Sequence, residues 1–477
     1  MSARQWVILL VLQVVELVSV AGSVAVLAGM HAWQGMFGND AGIGWIFSSY
    51  LLVSAVGAAV FGRLGDMYGR RRITLLVLAL SAAGSVIGMI TEDLWVIVAS
   101  RTVQGAAGVI LSLILGIMRE HLPADKIPFG VSVTITLAAA SSALVLIVAG
   151  SLTDQFGAWS IFGFHLVLSA VAFVAALLLL PPDGARAPAG RIDWIGGLLF
   201  SLGIAGLLVF ITLFGEGRAL GAMALAVVPS SLLILVAWYL HERRCANPLI
   251  DVRMFSSPGV LAANLGYFAI SVSIMQALLV LAPLLQQSPE TGVGFGLSAT
   301  MMGAVKTPTL VVGMIGSMVA AAIIARSGTR YAIVIGCIVG SLACLVPLTF
   351  SGSLPLVIVG FSLMNFGVSA CAAAFSTTMV AITPESRTSE AVGMMAVFRA
   401  SGQAIGAQAI NSMLALSSVR GNDGHFYPSP GSYDMALLGM AVVAAFALLP
   451  ALKLQGAIAK RKPGPDAVRE AEVAAIS

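Results

Sequence analysis

Few of the 477 residues are of a type that does chemistry, because 59% are apolar and only 10% are charged. The polar groups that fall inside long apolar runs therefore stand out: Glu16, Arg101, Lys306 and Arg399, with His165, Gln13 and Gln104. At the centre of a bilayer an acid costs about 2.5–3.5 kcal/mol on insertion scales, so such groups face a cavity or a partner. Glu16 lies about ten residues into its run, about 15 Å deep at about 1.5 Å per residue. A carboxyl there can take up and release a proton as solvent reaches it; the alternative is a neutral acid hydrogen-bonded to Gln13 or a neighbouring helix. Arg101, about 10 Å below the opposite surface by the same rise, either meets a cavity or snorkels outward. Lys306 is shallower and reads first as a snorkelling side chain, second as lining a pathway. Arg399 precedes Gly402 and Gly406, whose spacing suits close helix packing as well as a pathway does. His165 suits a proton relay or a packing hydrogen bond. Met301, Met302, Met394 and Met395 read as ordinary core or lipid-facing residues before a pliable ligand surface.

Other chemistries find no support. No nucleophile with its base, metal cluster or nucleotide loop appears at usable spacing, so no enzyme activity, cofactor or metal is expected. The stretch GRLGDMYGRRR, Gly62 to Arg72, has glycines and arginines but lacks the GK[ST] ending of a phosphate loop. Cys245, Cys337, Cys344 and Cys371 lie singly, without a CxxC pair. The net charge of +4 does not imply nucleic acid, because the basic residues sit in short gaps between apolar runs.

Those runs dictate the architecture. About 20 apolar residues cross the hydrocarbon as a helix. By that length the sequence predicts an all-α integral membrane protein with fourteen spans, near 6–30, 44–61, 73–90, 94–117, 129–151, 159–180, 194–214, 220–240, 259–285, 298–324, 331–350, 354–378, 390–415 and 433–453. The first run is too long for the core of a signal peptide and reads as a retained span. Twenty of the 25 Lys and Arg fall on one side of this topology, which puts both termini in the cytoplasm. Two polar breaks, Pro181 to Arg191 and His241 to Phe255, divide the spans six, two, six. The expected units are a six-helix bundle over 1–190, an inserted helix pair and linker over 191–255, a second six-helix bundle over 256–452 and a cytoplasmic tail over 453–477. Parallel six-helix halves are a transporter plan.

Set beside known families, the chain resembles the major facilitator superfamily, and within it the fourteen-span drug:proton antiporter branch. The resemblance covers nearly the whole chain. It rests on Gly62, Asp66, Gly69, Arg70 and Arg71 in the turn after span two, on Trp45 and Tyr50 before it, and on Arg101, Gln104 and Gly105 in RTVQG. FGAWSIF, Asp193 with Trp194, and RASGQAIG add later landmarks. The chain also departs from the branch. Val145, Leu146, Ala149 and Gly150 stand where it carries a glycine-proline pair and two glycines; Glu16, Ala21 and Ala25 replace an aspartate, an asparagine and a proline; and His165 replaces an asparagine.

The resemblance implies a major facilitator fold in the plasma membrane and alternating-access export of small amphiphilic compounds, coupled to protons. It implies proton coupling through Glu16 and Arg101, with Arg101 holding Glu16 by opposite charge. A substrate pathway would run past Gln13, Gln104, His165, Arg399 and Lys306. Gly62, Asp66, Gly69, Arg70 and Arg71 would act as a conformational latch between the halves. The expected partners are a small-molecule substrate, protons and membrane lipids, with no nucleic acid, and the chain is expected to be a monomer. Three buried cations against one carboxylate admit an anionic or zwitterionic solute and a facilitator or symporter; a receptor or scaffold is the rival from another class.

Overall fold

The computed structural model describes residues 2–459 except 39, 124–125, 184–192, 219–220, 246–247, 249, 384–387 and 423. Lipid offers backbone groups no partners, so apolar runs satisfy them internally as helices. The first block comprises α1 Ala3–Val24, α2 Met30–Phe37, α3 Gly44–Tyr68, α4 Arg70–Met89, α5 Leu94–Gln104, α6 Ile110–His121, α7 Ile127–Phe156 and α8 Ser160–Leu179. The two helices of the expected inserted pair follow, α9 Trp194–Gly215 and α10 Ala222–Arg244. The second block has α11 Pro258–Val272, α12 Ala277–Gln286, α13 Ala299–Ser327, α14 Thr329–Ala343, α15 Leu345–Thr349, α16 Leu354–Ile382, α17 Thr388–Ala415, α18 Pro430–Phe446 and α19 Leu448–Ala459. The strands β1 Ser418–Arg420 and β2 Phe426–Pro428 pair antiparallel before α18.

Among the described residues, 13 helical stretches are long and apolar enough to cross a membrane, and each matches an expected span. The chain is thus a multi-pass membrane protein. The remaining expected span, 390–415, falls on α17, a helix of 28 residues. Arg399, Gln403, Gln408 and Asn411 make it too polar to count with the others.

Two local expectations change. The polar gap from Gly62 is not a loop: α3 runs through Gly62 to Tyr68, and the turn is Gly69 alone, at φ 106°. Helical hydrogen bonding continues past the apolar run because its last two turns need no lipid. Glu16 is not the sole carboxylate on the spanning helices, since α7 extends to include Asp154 and α10 includes Glu242. The connector expected to end at Arg191 lies mostly outside the described residues, as does most of the tail beyond Lys453.

The two blocks meet along two seams, α3 against α17 and α7 against α13. Small residues make the approach close. A Cβ on Gly150 would lie 2.4 Å from the Ala299 carbonyl oxygen, and one on Gly303 would lie 2.8 Å from that of Leu146. Asp154 of α7 accepts from the backbone N–H groups of Ala299 and Thr300, each at 2.9 Å, and from Thr300 Oγ1 at 2.6 Å. A carboxylate from one block thus caps a helix of the other, where free N–H groups favour negative charge. On the second seam, Ser48 donates to Ala404 O at 3.0 Å and Gln408 donates to Ala41 O at 3.0 Å. All these contacts lie towards the face opposite the Gly69 turn.

The inserted pair is not peripheral. α9 packs on both α3 and α17. The Thr212 hydroxyl accepts from Trp45 Nε1 at 2.8 Å and from Gln408 Nε2 at 2.9 Å, and donates to Leu208 O at 2.9 Å. Asp193 caps α9 by accepting from Gly196 N at 2.8 Å. Burial pushes its carboxyl up, but that N–H and His241 outweigh burial and hold it below the usual carboxylate value.

Candidate functional site

A cavity of about 220 Å³ lies between the blocks. Breaks in three helices help form it. α1 gives way to a 3-10 turn, Ala25–Gly29; another, Gly105–Val109, separates α5 from α6; and a third, Ile274–Gln276, separates α11 from α12. Interrupted spanning helices present backbone groups to a cavity, where water or side chains can satisfy them. Val24 and Leu27 line the cavity from the first break, Arg101 from just before the second, and Met275 and Gln276 from the third. Gln276 also donates to Ser271 O at 2.8 Å, satisfying a carbonyl near its own break. Lys306 and Gln403 reach the same cavity from α13 and α17.

Arg101 is 3% exposed and fully engaged. Its guanidinium donates to Gly22 O at 2.6 Å, Ile46 O at 3.1 Å and Gln104 Oε1 at 2.7 Å, and lies 4.5 Å from the Tyr50 ring centroid. Gly22 O belongs to the last turn of α1, whose carbonyls lack intrahelical partners. The charge is therefore held by dipoles and an aromatic face. The expected pairing of Arg101 with Glu16 is not made. The planar fork finds its acceptors in the backbone of α1 and α3 instead.

Beyond Arg101 the polar chain continues inward. Gln104 Nε2 donates to Ser85 Oγ at 2.8 Å, and Ser85 Oγ lies 3.0 Å from His165 Nδ1. His165 Nε2 faces Val18 O at 3.2 Å; a carbonyl only accepts, so Nε2 carries a proton. His165 Nδ1 lies within reach of Ser85 Oγ, which itself donates to Ser81 O at 2.9 Å, and 3.4 Å from Gln104 Nε2. Arg101, Gln104 and His165 are therefore one network.

Glu16 and Gln13 belong elsewhere. They line a separate groove of about 390 Å³ between α1 and α7, with Leu137, Ser141 and Leu144. Gln13 Nε2 donates to Thr134 Oγ1 at 2.9 Å. Glu16 is buried, and its Oε2 has no hydrogen-bond partner among the described residues. Arg399 donates to Gln403 Oε1 at 3.1 Å on its own helix, while Cβ atoms on Gly402 and Gly406 would approach the Phe268 and Val272 carbonyls to 2.9 and 2.2 Å. The helix-packing role of that glycine pair is thus visible. Met302, Met394 and Met395 are buried core; the methionine that lines the cavity is Met275.

The Gly69 turn stands apart from the cavity. Arg70 pairs with Asp66 at 2.6 Å and Glu120 at 3.1 Å, and donates to Gly116 O at 2.6 Å. Asp183 accepts from Arg71 N at 3.0 Å and Arg72 N at 3.1 Å, capping α4. A Cβ at Gly69 would stand 2.3 Å from the Asp183 carboxylate, so glycine is required by space as well as by φ. Nothing is within 4 Å of a Cβ on Gly62. A larger depression of about 640 Å³, around Phe37, Asp40 and Glu216, lies away from the buried polar groups.

Sequence reasoning did not single out Ser85, Gln276, Gln403 or Asp154. Gln276 and Gln403 are polar residues in apolar runs, the signal that found Gln13. Asp154 was hidden because it lies past the apolar part of its helix.

A family model described as Major Facilitator Superfamily matches residues 14–407. The multidrug resistance protein Stp of Mycobacterium tuberculosis (strain CDC 1551 / Oshkosh) is 27% identical over 385 residues, 79% of this chain and 70% of that protein. The tetracenomycin C resistance and export protein of Streptomyces glaucescens is 26% identical over 344 residues, 70% of this chain and 62% of the relative. The probable actinorhodin transporter of Streptomyces coelicolor (strain ATCC BAA-471 / A3(2) / M145) is 29% identical over 363 residues, 73% of this chain and 61% of the relative. The chain therefore spans less than two thirds of the last two. A bacterial homologue of the human lysosomal transporter Spinster, 12% identical, superposes with TM-score 0.66 over 98% of this chain and 100% of its own. An auto-inhibited peptide transporter of the POT family does so with TM-score 0.64, 16% identity and coverage of 97% and 98%. With the family model spanning both blocks and the cavity between them, the chain belongs to the Major Facilitator Superfamily.

Proposed function

We propose that this protein is a secondary active transporter, not an enzyme, exporting small amphiphilic, drug-like compounds across the plasma membrane by alternating access coupled to protons. The observation that carries the reading is the cavity between the blocks, lined from both by Arg101, Gln276, Lys306 and Gln403 and flanked by three interrupted helices. Relatives named for drug resistance and export support the substrate class. The organisation read with it is fourteen spans, with α17 the fourteenth, in a 6+2+6 order, as a monomer. Both termini are cytoplasmic, as the distribution of Lys and Arg favours.

The contacts at Asp154, Ser48 and Gln408 close the face opposite the Gly69 turn, which supports reading this state as open towards the cytoplasm. In it Asp66 and Arg70 pair within one block; the latch would form across the blocks when the carrier faces outward. Glu16 serves as the proton site. Its orphan oxygen is free to be protonated, and its groove lies one helix layer from the Arg101 network. Arg101 keeps the cavity positive and transmits the proton state through the shared backbone of α1.

A second reading is favoured by the Lys306 ammonium, which makes no hydrogen bond or ion pair among the described residues and lines the cavity beside Arg101. It suits an anionic or zwitterionic solute carried by a facilitator or symporter. Reconstitution into liposomes separates the readings: the first expects substrate uptake into inside-out vesicles driven by an inside-acidic gradient and abolished by dissipating it. Flux indifferent to the gradient overturns proton coupling, and no flux of any amphiphile overturns transport.

A further inference from the structure

On the face that carries the Gly69 turn, the two ends of the inserted pair come together. Asp193 precedes α9; His241 and Glu242 end α10, and Cys245 follows it. His241 Nε2 lies 2.9 Å from Asp193 Oδ1 and 3.0 Å from Oδ2. The Asp193, His241 and Cys245 donor atoms all lie within 4.8 Å of one another. Beside them is a second carboxylate. Glu242 is 0% exposed; its Oε1 accepts from Trp238 Nε1 at 3.3 Å, and its Oε2 is buried without a hydrogen-bond partner among the described residues. A Cβ on Gly196 would touch both carboxylates, at 2.5 Å from Asp193 Oδ2 and 2.7 Å from Glu242 Oε1. Two carboxylates thus crowd one small space with only an imidazole for positive charge. Arg253 does not relieve this, since it donates to the Arg243 and Cys245 carbonyls.

We infer that Asp193, His241, Cys245 and Glu242 form a site for a zinc-class divalent cation, which clamps the start of α9 to the end of α10. One sulfur, one imidazole and carboxylate oxygens are the donors zinc takes in tetrahedral sites. Bound donors would stand roughly 3.3–3.8 Å apart given zinc–ligand lengths of about 2.0–2.3 Å. The His241–Asp193 contact would open slightly to reach that, and Glu242, which stands outside the group of three, would turn its Oε2 towards the metal. On binding, the Cys245 thiol loses its proton to solvent and its thiolate takes the metal; His241 frees Nε2 for the metal and keeps its remaining ring proton on Nδ1, an imidazolium releasing one proton to solvent and a neutral ring moving its proton from Nε2 to Nδ1. The buried Glu242 oxygen gains the partner it lacks. No CxxC marks such a site, because Cys245 is its one cysteine and Asp193 lies 48 positions before His241.

The test uses the full chain in detergent, stripped by chelator and titrated with Co²⁺. The site expects one Co²⁺ per chain, with tetrahedral visible bands and a thiolate-to-cobalt charge-transfer band, both removed by Zn²⁺. C245S should lose the charge-transfer band, whereas H241A and E242Q should each weaken binding tenfold or more. Zn²⁺ should raise the melting temperature of the unmodified chain but not of H241A. An unchanged spectrum and melting temperature at micromolar metal overturn the site, as does a charge-transfer band that survives C245S. So does E242Q raising the melting temperature of a chain that binds no metal, which would mean that a proton alone occupies the carboxylate pair. None of these readouts needs transport, so they stand or fall apart from the carrier reading.

Discussion

Arg101 and Lys306 are both cations on spanning helices, yet their surroundings give them opposite parts. Arg101 spends its donors on two carbonyls and an amide, so Arg101→Ala strands several buried acceptors. The expected loss is on the order of 3 kcal/mol, read as a lower melting temperature in detergent. Lys306 has no such partners to strand. Lys306→Met should leave the melting temperature equal or higher, while binding of an anionic amphiphile falls tenfold or more; unchanged binding removes Lys306 from the substrate surface. Glu16→Gln keeps the size and hydrogen bonding of the carboxyl and removes its charge. The chain should still fold, but transport should no longer follow an imposed pH gradient, and intact gradient-driven flux would exclude Glu16 from coupling. The sequence identified all three because a charge in an apolar run is conspicuous. It could not assign their partners, since Arg101 is satisfied by carbonyls of Gly22 and Ile46 that every residue possesses.

At the scale of elements, the turn between α3 and α4 depends on one backbone conformation. Gly69→Ala would place a methyl in the Asp183 carboxylate at a φ of 106°. Strain of about 1–3 kcal/mol is expected, together with loss of the α4 cap, measured as a lowered melting temperature. Gly62→Ala, with open space around its Cβ, should be neutral or slightly stabilising, because alanine suits a helix interior better. Motif resemblance weights the two glycines alike, whereas the structure separates them. Helix existence was legible from apolar runs, but helix ends were not: α3, α7 and α10 extend into polar residues that hydropathy assigns to gaps. The interruptions near Ala25, Gly105 and Ile274 were equally hidden. A 3-10 turn in lipid is as apolar as the helix it breaks, so composition does not register it.

At the scale of the molecule, alternation requires the seams to part and re-form. Asp154 holds two helices of different blocks through three hydrogen bonds, each about 1.5–3 kcal/mol when one partner is charged. Asp154→Ala should therefore shift the population towards opening on that face by more than tenfold. Pulsed-EPR distances between labels on the outer ends of α7 and α13 would register the change, and an unaltered distribution would deny Asp154 a gating role. Two polar breaks in the sequence set off α9 and α10, but that this pair leans on both α3 and α17 was not legible, because the contact hangs on Thr212, an unremarkable residue in an apolar run.

The shared Thr212 hydroxyl also sets a condition on shortening such a chain. Deleting α9 and α10 would look conservative on a topology diagram. It would instead abandon the Trp45 indole N–H and an amide hydrogen of Gln408 in hydrocarbon, where each orphaned donor costs several kcal/mol. A viable miniature would have to be re-surfaced first, with an apolar ring at position 45 and a new acceptor for the freed amide hydrogen of Gln408, whose side chain must stay to hold Ala41 O, before the pair could be removed.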